Sequence, residues 1–308
     1  MTRFSLVETP IRDSFADAVL AGLGRHPRRL PPRYFYDAEG TRLFDRITEL
    51  PEYYVTRAEM DVLARHAGEL PSAATVIEFG GGTGAKTRLL LEAWFHLRPR
   101  IRYVPVDISK AALTATAGAL LPQFPGLSVA AIQAEFDRAL ELIPREPSLV
   151  LFLGSNIGNF DEAEAVRFLH ALRGHQVVVG FDMVKDAATL HAAYNDAAGV
   201  TAAFNLNVLA RINRELGGTF DLGAWAHRAF YDAGEARIEM HLVARSDQAV
   251  RIAALDRTFA FQAGDTIHTE NSYKFSPERI AALARAGGLD VAKTWTDERG
   301  WFSVALLT

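Results

Sequence analysis

The chain has 308 residues, of which 49% are hydrophobic and 23% are charged, and its formal net charge is −4. This is the balance of an ordinary globular protein, and the length fits one large domain or two interleaved domains. The acidic charge argues against nucleic acid as the main partner, because phosphate binding needs a concentrated basic face. The absence of cysteine excludes disulfides, thiolate catalysis and cysteine-bound metals.

The sequence shows neither a membrane segment nor a secretion signal. Its apolar runs are all well short of the ~20 residues that span a bilayer. The first residues, MTRFSLVETPIRDSF, alternate polar and apolar side chains and lack the apolar centre of a signal peptide. We therefore expect a cytoplasmic protein that acts on a small molecule and has no membrane partner.

Residues 1–70 contain helical and loop patterns without strong strand signals. Two loops, LPPRYFYDAEG and LPEYYVTRAEM, are rich in proline and aromatic residues, and the second leads into a helix. Thr56 and Glu59 stand three residues apart at its start, a spacing that predicts a capping box.

From about residue 75 the pattern alternates between β-rich runs and helices. The runs are ATVIEF, RYVPVD, LSVAAIQA, SLVLFLG and HQVVVGFDM, and the helices are AKTRLLLEAWFHL, KAALTATAGALL and AEAVRFLHALR. Apolar β-rich runs separated by amphipathic helices indicate a parallel sheet covered on both faces, with right-handed crossovers. The fold class is therefore α/β, with a doubly wound, Rossmann-like sheet.

After Asp182 the rhythm changes. Residues 185–220 have a helical pattern, and RIEMHLVARS, QAVRIAALD and RTFAFQAG are typical of antiparallel strands. The C-terminal tail predicts a helix and two strands that rejoin the first sheet. We expect a nucleotide-type domain made of residues 57–184 plus 275–308, and an α+β accessory domain made of residues 1–56 plus 185–274.

The stretch VIEFGGGTGAKT lies between the first run of that sheet and its helix. Glycines there allow a tight turn and a close approach of the backbone to a ligand at the positive end of a helix. A phosphate-binding loop would need glycine directly before Lys86, where the chain has Ala85. A dinucleotide fingerprint is matched only loosely, by Gly80, Gly82 and Ala85. A tight turn without any ligand is the remaining alternative.

The spacing Glu78-x-Gly80-x-Gly82-x-Gly84 resembles the first motif of class I methyltransferases. In that class the loop holds the amino-acid end of S-adenosylmethionine, and an acidic residue at the end of the next strand binds the ribose. Asp107, in VPVDIS, stands at that position.

Longer strings resemble one family, the histidine-specific Nα-methyltransferases. They are RYFYDAEGTRLFDRITELPEYYVTRAE, LVLFLGSNIGNF, DMVKDAATLHAAYNDAAGVTAAFNLNVLARINREL, RIEM and ENSYKF, and together they extend over nearly the whole chain. The resemblance implies a monomer with a class I methyltransferase sheet. It also implies Nα-trimethylation of L-histidine by S-adenosylmethionine, which yields hercynine in the first step of ergothioneine biosynthesis.

Carried over by position, the family's cofactor contacts fall on Tyr36, Gly80, Lys86, Asp107, Glu135 and Phe136. The pair Glu135-Phe136 replaces the usual Asp-Phe that reaches the adenine. Gly81 and Gly84 stand where the family commonly has serine, a change that we expect to loosen the glycine loop without removing it.

The resemblance assigns seven residues to the substrate. Asn159 and Tyr194, the pair assigned to catalysis, would bind the α-carboxylate; Tyr53, Glu270 and Ser272 would bind the imidazole; Phe204 and Met240 would pack around histidine. The residue types suit these roles, because amide and phenol donors match a carboxylate and a carboxylate accepts from an imidazole N–H. Glu270 is therefore expected to separate histidine from tryptophan or phenylalanine.

Each of these residues also has a structural interpretation. Asn159 fits a turn, Tyr53 and Tyr194 fit ordinary half-buried tyrosines, and Met240 fits a core position. Glu270 and Lys274 are four residues apart and fit a surface ion pair. The nine histidines contain no His-x-x-x-His pair, so we expect no metal.

Three other functions stay open. A methyltransferase of the same fold could use another amino-acid amine, although Glu270, Ser272 and Met240 speak against it. A nicotinamide-dependent oxidoreductase would need a proton donor, and no histidine or Tyr-x-x-x-Lys arrangement fits that role. The third is a binding or regulatory protein without catalysis.

Overall fold

The computed structural model describes residues 3–9 and 14–308, which belong to two compact units. The first unit contains residues 3–9 together with Val55–Val184 and Lys274–Thr308, and the second contains residues 14–54 together with Lys185–Tyr273. The predicted domain boundaries differ from this division at the N terminus, since they place residues 1–56 in the accessory domain. The assignment of a function to each domain stays a prediction.

Helices and strands alternate along most of the described chain. The α-helices are α1 (Phe15–Gly24), α2 (Ala38–Glu49), α3 (Val55–His66), α4 (Ala85–Trp94), α5 (Lys110–Leu120), α6 (Phe136–Ala139), α7 (Glu162–Ala171), α8 (Ala187–Tyr194), α9 (Val200–Leu216) and α10 (Pro277–Ala286). The β-strands are β1 (Phe4–Glu8), β2 (Arg28–Arg29), β3 (Thr75–Phe79), β4 (Ile101–Asp107), β5 (Leu127–Gln133), β6 (Leu149–Phe152), β7 (Gln176–Asp182), β8 (Trp225–Asp232), β9 (Arg237–Ala244), β10 (Gln248–Ile252), β11 (Arg257–Phe261), β12 (Thr266–Tyr273), β13 (Val291–Thr296) and β14 (Phe302–Leu307).

The first unit is built on an eight-stranded sheet in the order β1-β5-β4-β3-β6-β7-β14-β13. Strands β1 to β7 of this sheet run parallel, β14 runs antiparallel to β7, and β13 runs antiparallel to β14. This confirms the predicted α/β, Rossmann-like sheet, including the C-terminal strands that rejoin it. Strands β4 and β5 lie on one side of β3, whereas β6 and β7 lie on the other, so the strand order reverses between β3 and β6. Folds of this kind bind ligands at the carboxyl ends of the strands beside such a reversal.

Strand β1 was not predicted. Its backbone pairs in parallel with β5 at the edge of the sheet, with Phe4 opposite Val129. Only part of its apolar surface is covered, and Val7 is 51% exposed. Five residues with so little burial give a weak alternation signal, which explains the missed strand.

The second unit contains a four-stranded sheet in the order β2-β12-β9-β8 and a separate hairpin of β10 and β11. The three predicted strand runs correspond to β9, β10 and β11, whereas β2, β8 and β12 were missed. The predicted helical region 185–220 is divided into α8 and α9. The division lies at Asp196, whose carboxylate accepts hydrogen bonds from the N–H groups of Val200 and Thr201, both 2.8 Å away, at the start of α9.

Across residues 3–9 and 14–308, no helix combines the length and the apolar composition that crossing a membrane requires.

Candidate functional site

The predicted residues are shared between the two units. Those in the first unit are Gly80, Lys86, Asp107, Glu135, Phe136 and Asn159, and those in the second are Tyr36, Tyr53, Tyr194, Phe204, Met240, Glu270 and Ser272.

The glycine loop of the first unit joins β3 to α4. Gly80, Gly82 and Gly84 have φ angles of 70°, 54° and 74°, which are left-handed values that favour glycine. A Cβ atom on Gly80 would lie 3.0 Å from the Asn156 amide nitrogen and 3.2 Å from the Phe136 ring. The loop therefore exposes bare backbone at the N-terminal end of α4, where partial positive charge favours an anionic group.

The expectation that Gly81 and Gly84 loosen this loop stays a prediction; in the structure both positions are closely packed. A Cβ atom on Gly81 would lie 2.8 Å from a carboxylate oxygen of Glu78, and one on Gly84 would lie 2.7 Å from the Thr116 methyl group. The Thr116 hydroxyl also donates to the Gly82 carbonyl at 3.0 Å. The two glycines allow their neighbours to pack closely against the backbone.

Glu78 lies beneath the loop and is almost completely buried. Its carboxylate accepts hydrogen bonds from the hydroxyls of Thr87 and Tyr103. Burial raises the pKa of Glu78, and the two hydroxyl donors act against that rise. This acidic residue of the motif thus supports the loop from below.

Asp107 is the last residue of β4. One oxygen of its carboxylate accepts from the Ser109 N–H at 2.8 Å. Burial raises the pKa of Asp107, and the N–H groups of Ser109 and Ile108 partly offset that rise. A carboxylate at the end of this strand can accept hydrogen bonds from a pair of hydroxyl groups.

Phe136 begins α6, directly after Glu135. Its ring packs edge-to-face on Phe79 and on Phe152, with ring centroids 5.6 Å apart in both pairs. Because the position of a Gly80 Cβ is also next to this ring, the structure brings the glycine loop and Phe136 together.

Asn159 ends a single 3-10 turn, Asn156–Asn159, that follows β6. Ser155, in a left-handed conformation before this turn, accepts from the Asp182 N–H at 3.0 Å through its hydroxyl. The turn therefore has a fixed anchor on β7. Its location bears out the turn interpretation of Asn159 without deciding whether its amide also binds a ligand.

The capping box predicted at the start of α3 is wrong. The helix begins at Val55, and the Glu59 carboxylate lies 2.5 Å from the Lys86 ammonium instead. It also accepts from the Gly154 N–H, at 2.8 and 3.0 Å. Sequence patterns missed this pair because its two members come from different helices.

In the second unit, aromatic rings form a continuous cluster that contains four of the predicted residues. Phe44, which was not predicted as a site residue, lies between Tyr36 and Tyr53, at centroid distances of 5.6 and 6.3 Å. Phe204 packs on Tyr36 at 5.6 Å, and Tyr53 packs on Tyr194 at 6.4 Å. The structure thus brings together four predicted residues through one that was missed.

The polar candidates of this unit lie on β12 and its neighbours. Glu270 stands directly opposite Met240 on β9, and Ser272 follows two residues later on the same face of β12. The Tyr194 hydroxyl donates to the Ser272 hydroxyl at 2.8 Å. All four residues are at most 9% exposed, so a carboxylate and two hydroxyls share a buried environment with a thioether.

The proposed surface pair of Glu270 with Lys274 is wrong, because Lys274 is completely buried. Its ammonium lies 2.8 Å from the carboxylate of Asp182, which is also buried.

A buried polar network lies behind these residues. The Thr269 hydroxyl donates to the side-chain oxygen Oδ1 of Asn205 at 2.8 Å, and the side-chain nitrogen Nδ2 of Asn205 lies 2.9 Å from His227 Nδ1. His227 Nε2 in turn lies 2.9 Å from the Tyr194 carbonyl, so this nitrogen carries the proton. Burial lowers the pKa of His227, which favours the neutral ring. The network connects β12 to the end of α8, and no local sequence pattern indicates it.

Three potential metal ligands, Glu239, His241 and His268, lie within 4.8 Å of one another. Glu239 and His241 flank Met240 along β9, so their side chains lie on the opposite face of the sheet. Glu239 already accepts from Arg237 and from His241, at 2.9 Å in each case. The arginine neutralises the carboxylate that a cation would need, and the expectation that the protein binds no metal stays a prediction.

Comparisons with known proteins agree with these features. The family model for histidine-specific, S-adenosylmethionine-dependent methyltransferases matches residues 15–308. The histidine N-alpha-methyltransferase of Mycobacterium tuberculosis is 46% identical over 297 residues, which cover 94% of this chain and 92% of that protein. The protein of the same name from Mycolicibacterium smegmatis is 44% identical over 315 residues, with 98% of each chain covered. Ergothioneine biosynthesis protein 1 of Neurospora crassa is 32% identical over 287 residues, which cover 88% of this chain and 32% of that protein. The chain therefore belongs to the family of histidine-specific, S-adenosylmethionine-dependent methyltransferases.

Proposed function

We propose that the protein transfers methyl groups from S-adenosylmethionine to the α-amine of L-histidine. The observation that carries this proposal is the buried pair of Glu270 and Ser272 on one face of β12, with the Tyr194 hydroxyl bonded to Ser272. A carboxylate beside a hydroxyl matches an imidazole, which has one N–H donor and one acceptor nitrogen. Membership of the histidine-specific family supports the same acceptor.

The first unit fits the methyl donor. S-adenosylmethionine supplies a methyl carbon that its sulfonium makes electrophilic. Gly80 offers backbone without a side chain, Asp107 offers a carboxylate for the ribose hydroxyls, and Lys86 offers an ammonium for the amino-acid end. Glu135 and Phe136 are proposed to bind the adenine, and Tyr36, in the second unit, is the remaining proposed contact.

The polar candidates hold histidine at both ends. Asn159 and the Tyr194 hydroxyl bind the α-carboxylate, with Tyr194 turning its single O–H from Ser272 to the substrate, whereas Tyr53, Glu270 and Ser272 bind the imidazole. Orienting the amine for attack in this way can supply ~7–11 kcal/mol of the barrier reduction. An amine with a reference pKa of about 8 is mostly protonated at neutral pH, so either a water molecule takes its proton, with the Tyr194 hydroxyl assisting, or the site binds the neutral amine directly.

The proposed product is the trimethyl betaine hercynine, formed in the first step of ergothioneine biosynthesis. Anchoring the carboxylate and the imidazole leaves the amine free to rotate as methyl groups accumulate. Aromatic faces attract quaternary ammonium groups, so Phe204 and the rings packed on it favour the cationic head. Action as a cytoplasmic monomer remains part of the proposal.

A product analysis by mass tests the reaction. We expect that purified protein, given methyl-deuterated S-adenosylmethionine and each of the twenty amino acids in turn, labels histidine with three methyl groups. Release of S-adenosylhomocysteine should accompany each transfer. Labelling of another amino acid would overturn the acceptor, and accumulation of the monomethyl product alone would overturn the three-step reaction.

Removing one hydroxyl should weaken histidine binding. We expect Tyr194→Phe to lower kcat/KM for histidine about tenfold, because the variant lacks the one O–H that Tyr194 donates to Ser272 in the free protein and to the substrate carboxylate in the complex. Steady-state kinetics at saturating S-adenosylmethionine measure this change. Tyr231→Phe, on β8, is the control; equal losses in the two variants would contradict the role of Tyr194.

A further inference from the structure

Glu59 carries a buried charge that neither the fold nor the family match accounts for. Its side chain is completely buried on α3, and its carboxylate meets the Lys86 ammonium at 2.5 Å. Both of its oxygens lie within 3.0 Å of the Gly154 N–H. A carboxylate in such a place is costly to desolvate, and replacing buried ion pairs by apolar residues is often neutral for stability. Stability alone is therefore a weak reason for its presence.

The sheet makes room for this carboxylate. A Cβ atom on Gly180, within β7, would lie 2.3 Å from a Glu59 oxygen and 2.9 Å from the Phe302 ring. Any larger residue on β7 would displace either the charge or the aromatic side chain. The charge is thus accommodated by the backbone of a central strand as well as by its two polar partners.

Lys86 gains from a nearby negative charge because of its place in α4. It is the second residue of the helix, where the helix dipole disfavours a cation. The Glu59 carboxylate opposes this effect and contacts the ammonium from one side. Lys86 remains 21% exposed, and an ammonium has three N–H donors, so it can still bind a further anion.

Glu59 also connects this lysine to the turn after β6. Gly154, its backbone partner, precedes the left-handed Ser155 and the turn that contains Asn156 and Asn159. A Cβ atom on Gly154 would lie 3.3 Å from the Lys86 ammonium and 3.5 Å from the Asn156 amide. One carboxylate therefore contacts both the helix after the glycine loop and the loop after β6.

We propose that Glu59 is a positioning residue that fixes the Lys86 ammonium for the carboxylate of the methyl donor. The proposal rests on the donor site of the proposed function. The negative charge of Glu59 acts through Lys86, whereas its carboxylate oxygens accept from the Gly154 N–H and so hold the turn that follows.

A double-mutant cycle with Lys86 tests this role by direct binding. Glu59→Gln keeps the size and an acceptor for the Gly154 N–H but removes the charge. We expect it to raise the dissociation constants of S-adenosylmethionine and S-adenosylhomocysteine about tenfold, as the loss of one charge-assisted contact does. In a Lys86→Met background the same change should alter them less than about twofold, because the two effects are coupled.

Further variants separate positioning from a loss of folding. If Glu59→Gln alone unfolds, Glu59→Asp takes its place, because it keeps the charge but withdraws it from Lys86 by one methylene: it should also raise the dissociation constants, and parental affinity would overturn the proposal. Glu92→Gln, which breaks an exposed ion pair with Arg88 on the same helix, is the control and should bind like the parent. At saturating donor, the KM for histidine should change less than about threefold in Glu59→Gln, since its neutral amide still holds Gly154.

Several results would overturn the proposal. If Glu59→Gln bound S-adenosylmethionine as tightly as the parent protein, the charge of Glu59 would have no role in donor binding. If Glu59→Gln lowered the donor affinity equally in the parent and in the Lys86→Met background, Glu59 would not act through Lys86. Calorimetry on the parent protein distinguishes this failure from that of the proposed function: a parent that does not bind S-adenosylmethionine would overturn both.

Discussion

Replacing Glu270 by alanine is expected to lower kcat/KM for histidine by about a thousandfold, the kind of loss seen when a site built to bond a polar group loses its partner. Glu270 is 9% exposed, so the imidazole N–H that it binds would enter a buried place without an acceptor. Water could replace the lost acceptor only poorly beside Met240, which is its direct neighbour across the strands. The dissociation constant of S-adenosylmethionine should stay unchanged, because the donor residues other than Tyr36 lie in the first unit.

Two variants make this expectation specific to the carboxylate. Glu270→Gln keeps an acceptor oxygen without the charge and should lose less activity than Glu270→Ala. Glu235→Ala removes an exposed glutamate of the turn before β9 and should behave like the parent. If Glu270→Ala kept most of its activity on histidine, or gained activity on all amino acids alike, Glu270 would not be the residue that selects the imidazole.

The parallel sheet could be predicted because its central strands are buried on both faces. Runs such as those of β6 and β7 are almost entirely apolar, and the helices between them have a clear apolar periodicity. The glycine loop and Asp107 follow from the same pattern, since ligand residues of such folds stand at the carboxyl ends of the strands. Local sequence thus indicates only part of the donor half of the predicted set, because Tyr36, Lys86, Glu135 and Phe136 came from the family resemblance.

Strand β12 shows why the other half could not be found from periodicity. Its inward residues include Glu270 and Ser272, which are polar because they are site residues, so hydrophobic alternation is lost. A register shift between His268 and Glu270 places Thr269 and Glu270, adjacent in sequence, both in buried positions. Only the family resemblance identified these residues, and the strand that holds them emerges from the structure.

Glu59 illustrates a different limit. Its spacing from Thr56 fits a helix-capping rule, and that rule describes only local hydrogen bonds. Its real partners, Lys86 and Gly154, are distant in sequence, and a tertiary ion pair outweighs the local preference. The residue spacing at a helix start predicts the position of the helix more reliably than it predicts the partners of its charged residues.

Replacing Asp107 by alanine is expected to raise the dissociation constant of S-adenosylmethionine by at least about a hundredfold, since hydrogen bonds to an ionised group contribute about 1.5–3 kcal/mol each and the ribose offers two hydroxyl donors. Asp107→Asn, which keeps one acceptor oxygen, should lose less affinity. The KM for histidine at saturating donor should be unaffected. Calorimetric titration measures the affinities, and Asp61→Asn on α3, which is half-exposed, is the matched control.

The same residue should make donor binding depend on pH. Burial raises the pKa of Asp107 above its ordinary value, so the carboxylate takes up a proton at a higher pH than an exposed aspartate does. Ribose hydroxyls donate to the ionised form; affinity is therefore complete above the raised pKa and is lost as the pH falls through it. Titrations at a series of falling pH values should show this loss in the parent protein and a flatter profile in Asp107→Ala. A parent profile as flat as that of the variant would mean that Asp107 does not bind the donor as a carboxylate.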